Sequence, residues 1–131
     1  MDNSNFTKVI RSSAILTNSY VAATVLGGGK DEGRVAEYNQ LAAYFYYTKG
    51  SLTSLEVKIE SSLDGTNYVQ ETNIAVSGAT ITMNKGEFTT TEDGNFKITM
   101  PMSAKFVKIS AKGTGTLTSS LLGIEAMLQY V

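Results

Sequence analysis

The side chains able to do chemistry in this chain are few in kind. Twelve carboxylates, eleven Lys and Arg and seven tyrosines are present, with no histidine and no cysteine. Imidazole and thiol are the usual bases, nucleophiles and zinc ligands. Their absence removes Ser-His-Asp and Cys-His catalysis, His or Cys metal sites and disulfides. Carboxylates remain, and a glycosidase needs two of them facing across a bond. Asp31, Glu32, Asp64 and Asp93 fall in turn-like segments, whereas Glu56, Glu60 and Glu125 take the polar positions of alternating stretches. That is the pattern of loops and a solvated face, so no catalytic residue is assigned and no enzyme is expected.

Other constellations give little more. Gly27-Gly28-Gly29-Lys30 lacks the spacing of a phosphate loop, because Asp31 stands where a hydroxyl should meet Mg²⁺. Asp64-Gly65-Thr66-Asn67 and Asp93-Gly94-Asn95 resemble fragments of calcium loops but lack the further oxygen ligands. Two-residue hairpin turns explain both. Tyr44, Phe45, Tyr46 and Tyr47 would suit stacking on a sugar or a single strand. Stacking on nucleic acid goes with a basic groove, and the formal net charge is −1 with only Lys49 close by. Core and interface packing is the expected use. Lys108 and Lys112 share a face by parity and Lys105 does not, the mark of a solvated face. No metal, cofactor, nucleic acid or membrane partner is expected. Residues 1–5 carry no positive charge, and no apolar run approaches the ~18 residues of a membrane span.

The elements that must position these residues read as strands. The chain has 131 residues, room for one domain. It is 42% hydrophobic and 18% charged, with one proline and twelve glycines. Leu55, Val57 and Ile59 alternate with Glu56, Lys58 and Glu60, a half-buried strand. Residues 20–26 read as one strand before a glycine-rich loop over 27–34. Residues 41–47 are apolar on both faces, which suits a central strand covered on both sides or a strand with one face in an interface. Further strands are expected over 68–72, 79–83, 88–91, 96–100 and 107–111, with turns at Asp93-Gly94 and Gly113-Thr114-Gly115. Residues 121–131 fit a strand or a helix, and the β-like context favours a strand. Residues 1–19 are the least regular, an extended arm or a first strand, with the domain proper over 20–131. The expected fold is all-β: a single-domain antiparallel β-sandwich of jelly-roll type with eight or nine short strands.

From Tyr38 onward the sequence resembles small structural proteins of tailed bacteriophages. The resemblance rests on Asn39-Gln40-Leu41 before the aromatic strand, and on Tyr47-Thr48-Lys49-Gly50-Ser51-Leu52-Thr53-Ser54-Leu55. It continues through Val57-Lys58-Ile59-Glu60-Ser61-Ser62-Leu63-Asp64-Gly65-Thr66-Asn67-Tyr68 and Phe106-Val107-Lys108-Ile109-Ser110-Ala111-Lys112-Gly113-Thr114-Gly115-Thr116. It implies a virion component with a β-sandwich, such as a capsid decoration (cement) protein on the outer capsid surface. Its partner would be the major capsid protein, and its state a homo-oligomer, with a trimer favoured. No catalytic residue is carried over. A tail or baseplate subunit and a carbohydrate-binding module are the alternatives.

A protein that only binds needs a rigid sandwich and segments that order on contact. Residues 1–19 and 27–34 are the expected segments. The candidate capsid or oligomer contacts are Phe6, Val9, Ile10, Ile15, Leu16, Lys30, Arg34, Tyr44 and Tyr46. On the arm reading, removing residues 1–18 leaves the sandwich folded.

Overall fold

The computed structural model describes residues 5–28 and 35–131, and of residues 36, 73–76 and 82–84 the backbone alone. Lys30 and Arg34 lie outside the described residues. The clearest alternation forms the longest strand. In β5 (Leu52–Ser62), Leu55, Val57 and Ile59 are buried and Glu56, Lys58 and Glu60 are turned outward. It pairs antiparallel with β11 (Phe106–Gly115), setting Ile109 opposite Ile59 and Lys108 opposite Glu60. Like faces meet like, so one register satisfies the core and the solvent side together.

The same rule builds a second sheet. β1 (Phe6–Ala14), β12 (Leu121–Gln129), β4 (Gln40–Thr48) and β10 (Phe96–Pro101) lie side by side in that order, all antiparallel. The C-terminal segment is therefore a strand, with Ile124, Ala126 and Leu128 buried. Pro101 closes β10 on the sheet's outer edge, where its missing N–H does no harm. The inner faces of the two sheets share one core, which includes Phe45, Leu55, Val57, Ile109, Leu122 and Ile124. Phe45 stacks on Phe96 at 4.7 Å and meets Phe88 edge-on at 6.1 Å, spanning the two sheets with aromatic contacts.

Twelve strands occur among the described residues, where eight or nine were expected. The difference lies in short pairings that share one lane. β2 (Val21–Ala22) and β3 (Leu26–Gly27) both pair with β11, at different points along one side of it. β6 (Val69–Gln70) and β9 (Glu87–Thr90) divide one side of β5 in the same way. Each sheet is thus four lanes wide. β7 (Thr72–Ser77) and β8 (Thr80–Lys85) pair only with each other, as a ribbon inserted between β6 and β9.

Three local expectations are corrected. Residues 20–26 are not one strand. The Ala23 N–H donates to the Ile109 carbonyl, and the Thr24 N–H crosses to the Ile10 carbonyl of the other sheet, both at 2.8 Å. Asp93-Gly94 is not a hairpin turn, since β9 and β10 belong to different sheets. Gly113 and Gly115 lie within β11, and the turn falls later, where the Ser120 N–H donates to the Leu117 carbonyl at 3.0 Å.

Candidate functional site

The two sheets present unlike outer faces. On the β5/β11 face, charges are paired off. Glu60 lies 3.9 Å from both Lys58 and Lys108, and Glu56 lies 3.8 Å from Lys112. The Thr114 hydroxyl donates to Glu56 at 2.9 Å. The Tyr20 ring sits under Lys58 and Lys112, at 4.7 and 4.8 Å, and Tyr68 sits under Lys108 at 4.2 Å. Burial raises the pKa of both tyrosines, helped by Glu56 and Glu87 at Tyr20 and by Asp64 and Glu60 at Tyr68. Such half-exposed pairs contribute at most about 1 kcal/mol each, but they leave this face electrically self-satisfied.

The outer face of the other sheet is nearly uncharged. The register lays out one row as Thr7, Met127, Ala42 and Thr99, and the next as Val9, Glu125, Tyr44 and Lys97, with Tyr46 opposite Gly123. Glu125 and Lys97 are the two charges in these rows. Glu125 accepts a long 3.4 Å bond from the Tyr46 hydroxyl, and Lys97 lies 5.5 Å from the Tyr44 ring centre. Burial first, then Glu125, raises the Tyr46 pKa. Val9 is 54% and Tyr46 47% exposed. The arrangement offers apolar and aromatic contact.

The candidate contacts divide accordingly. Val9, Tyr44 and Tyr46 come together on this face, and Ile15 is exposed just beyond the end of β1, its carbonyl accepting from the Arg11 guanidinium at 3.1 Å. Ile10 and Leu16 are corrected: both are core residues, 3% and 2% exposed. Ile10 is the unpaired residue of a bulge between Val9 and Arg11, and Leu16 is drawn in by its N–H bond to the Ser120 hydroxyl at 3.2 Å. Phe6 is half-buried and packs against the same core.

The Asp64 segment is also self-contained. It is a wider loop than a two-residue turn, because the last β5–β6 pair is Ser61 with Val69. The Asp64 carboxylate accepts from the Thr66 and Asn67 N–H groups, both at 2.8 Å, and from the Asn67 amide at 2.7 Å and the Ser62 hydroxyl at 2.9 Å. These bonds hold its pKa well below the usual carboxylate range. Its acceptor capacity is used within the loop. No group of three or more metal-ligating side chains occurs among the described residues, and no helix is long and apolar enough to cross a membrane.

One feature escaped the sequence. A cleft of about 570 Å³ opens where β9 and β10 diverge into their separate sheets. Phe88 and Thr90 line one wall, Phe96 and Ile98 the other, and Glu92 and Asp93 stand at the closed end. The alternation of each strand was readable; that the two strands part company was not. Beneath Phe96 lies Tyr47, edge-on at 6.4 Å. Its hydroxyl is buried without a hydrogen-bond partner among the described residues, and burial, then Asp93, raises its pKa.

No family model matches the sequence, and no curated protein matches it. Solved structures do. One similar chain comes from the crystal structure of the SPBc2 prophage-derived protein YomS, with a TM-score of 0.55 and 11% identity over 95% of this chain and 92% of that one. Another is from a structure of Bacillus endospore appendages, described as a family of disulfide-linked pili, with a TM-score of 0.46 and 9% identity over 100% and 96%. The likeness to the prophage-derived protein is one of fold: this chain is an all-β protein of two antiparallel sheets, shared along nearly its whole length.

Proposed function

We propose that this chain is a non-enzymatic virion structural protein, a capsid decoration protein that binds and stabilises an assembled phage head. The observation that carries the reading is the contrast between the two outer faces. One is closed off by its own ion pairs, and the other presents Val9, Tyr44 and Tyr46 with few charges. A sandwich with one such face is suited to docking flat against a protein surface, where aromatic side chains are enriched. The strand order supports a jelly roll: β1-β12-β4-β10 faces a sheet whose lanes run β2 and β3, β11, β5, then β6 and β9. That double-sheet arrangement recurs in viral capsid proteins. The prophage origin of a fold neighbour agrees with it. The protein acts on the outer head surface as a homotrimer bound to the major capsid protein, and it stabilises the head by binding only the assembled shell.

The test is quantitative mass spectrometry of virions, counting this chain against the major capsid protein, with add-back of purified chain to heads lacking it. One copy per capsid subunit, or one trimer per local threefold site, together with a raised head melting temperature, is expected. A ratio of a few per cent moves the protein to the tail or baseplate. Half-buried Tyr44 and exposed Tyr46 on one face favour a second reading, a carbohydrate-binding module, which absence from virions together with retention on a polysaccharide column would support.

A further inference from the structure

We propose that the open side of the sandwich between β9 and β10 is a binding site for an extended, basic peptide segment of a partner protein. Inward-facing residues on inner lanes, such as Phe45 and Val57, are fully buried. Their counterparts on the outer lanes, Phe88, Thr90, Phe96 and Ile98, stay half-exposed, because no further lane covers them. Among the described residues β9 pairs only with β5 and β10 only with β4. Each strand therefore keeps one unpaired edge of N–H and C=O groups beside an apolar cleft. That combination is what strand addition uses: main-chain bonds hold the segment, and a pocket takes every second side chain. The opposite side of the sandwich is guarded. There β1 is broken by bulges, and its Ile10 carbonyl is already taken by the Thr24 N–H.

The cleft selects its occupant. Its 570 Å³ lies within the ~300–1,000 Å³ of ordinary ligand sites. Its floor is fixed in advance, since Phe96 stacks on buried Phe45 and meets Phe88 at 5.7 Å and 83°, so little ordering is needed on binding. Glu92 and Asp93 line it, Asp93 with one oxygen already accepting from the Lys49 and Gly94 N–H groups, and no cation among the described residues lines it. An apolar side chain in the cleft, with a basic residue beside it, matches both chemistries.

The proposal adds a docking chemistry to the function above, and its test uses no phage heads, so either can fail alone. The isotope-labelled full chain is titrated, by nuclear magnetic resonance, with the blocked peptide Lys-Val-Phe-Val-Lys and its counterpart Glu-Val-Phe-Val-Glu. Saturable shifts confined to residues 87–101 are expected, with roughly tenfold tighter binding of the basic peptide. Glu92→Lys should erase that preference. Thr90→Arg, on the β9 wall of the cleft, should fill it and block both peptides while the chain still unfolds cooperatively. No saturation at millimolar peptide, shifts centred on β1 or on Tyr46, or equal affinity for the two peptides would overturn the proposal.

Discussion

Leu16→Ala separates a core strand from a loose arm. Leu16 is 2% exposed and lies against Gly113, where an added Cβ would stand 3.3 Å from the Leu16 Cβ and closer still to Leu52 and Leu117. Glycine backbone cannot move in to fill the space left by a truncated leucine. The cost should therefore fall within the ~2–5 kcal/mol range for buried Leu→Ala changes, toward its upper half. Against a domain stability of ~5–15 kcal/mol this is a large fraction. At ~4 °C per kcal/mol for a domain of this size, Tm should drop by roughly 8–20 °C. Ile15→Ala is the control: Ile15 is 51% exposed, and the cost should stay within ~0.5 kcal/mol. Urea unfolding followed by circular dichroism reads both, with an unchanged m-value showing that only stability moved. The deletion of residues 1–18 should now abolish cooperative unfolding, because it strips β12 of a nine-residue partner as well as Ile10 and Leu16. A Leu16→Ala variant as stable as the Ile15→Ala control, or a deletion that still unfolds cooperatively, would refute the placement of this segment in the core.

Other perturbations test other parts. Tyr47→Phe removes a buried hydroxyl without a protein partner, so it should stabilise the chain by about 1 kcal/mol in thermal unfolding. Loss of stability would mean that the hydroxyl is satisfied. Asp64→Asn should lower Tm at neutral pH. The folded pKa of Asp64 is depressed, so its stabilisation is complete above the ordinary value of 3.8 and lost as pH falls toward the folded value. The gap between Asp64→Asn and wild type should hence narrow steadily below pH 3.8, and a gap constant with pH would contradict the loop's hydrogen bonding. Gly27→Ala should cost about 1–3 kcal/mol in urea unfolding. Gly27 sits at φ +123°, and a Cβ there would run into the Lys105 carbonyl and lie 2.8 Å from the Phe106 ring. Tyr46→Asp should weaken add-back to heads several-fold while the chain still unfolds cooperatively, since it puts a second carboxylate beside Glu125 on a face with few charges.

Legibility followed the range of the interactions. Period-two alternation named β5, β10 and β11 directly, because each has one wet face and one dry face, whereas the residues of β12 also fit a helix and only their β-like context favoured a strand. Ile10 and Leu16 were misread as surface contacts for the same reason in reverse. A bulge at Ile10 breaks the period, and Leu16 is placed by a serine 104 residues away. Asp64-Gly65 and Asp93-Gly94 are alike as dipeptides, yet one bends back within a sheet and the other crosses between sheets. Only the partners of the flanking strands decide which. Val9, Tyr44 and Tyr46 were legible one by one but not as a surface, since four strands, scattered along the sequence, compose it. The cleft at Phe88 and Phe96 was invisible, because it exists only where two neighbouring strands separate.

The pairing of β1 with β12 also bears on how the chain is made. Phe6 faces Leu128 across that ladder, so the earliest of the twelve described strands waits for the latest. Closing so long a loop costs entropy before any contact rewards it, and folding dominated by such pairings is slow, in the range of milliseconds to seconds. On the ribosome β5 and its neighbours can begin to pair early, while β1 stays without its ladder partner until β12 emerges. In that interval β1 lacks its ladder partner, and its Lys8 and Arg11 discourage edge-to-edge pairing with other chains.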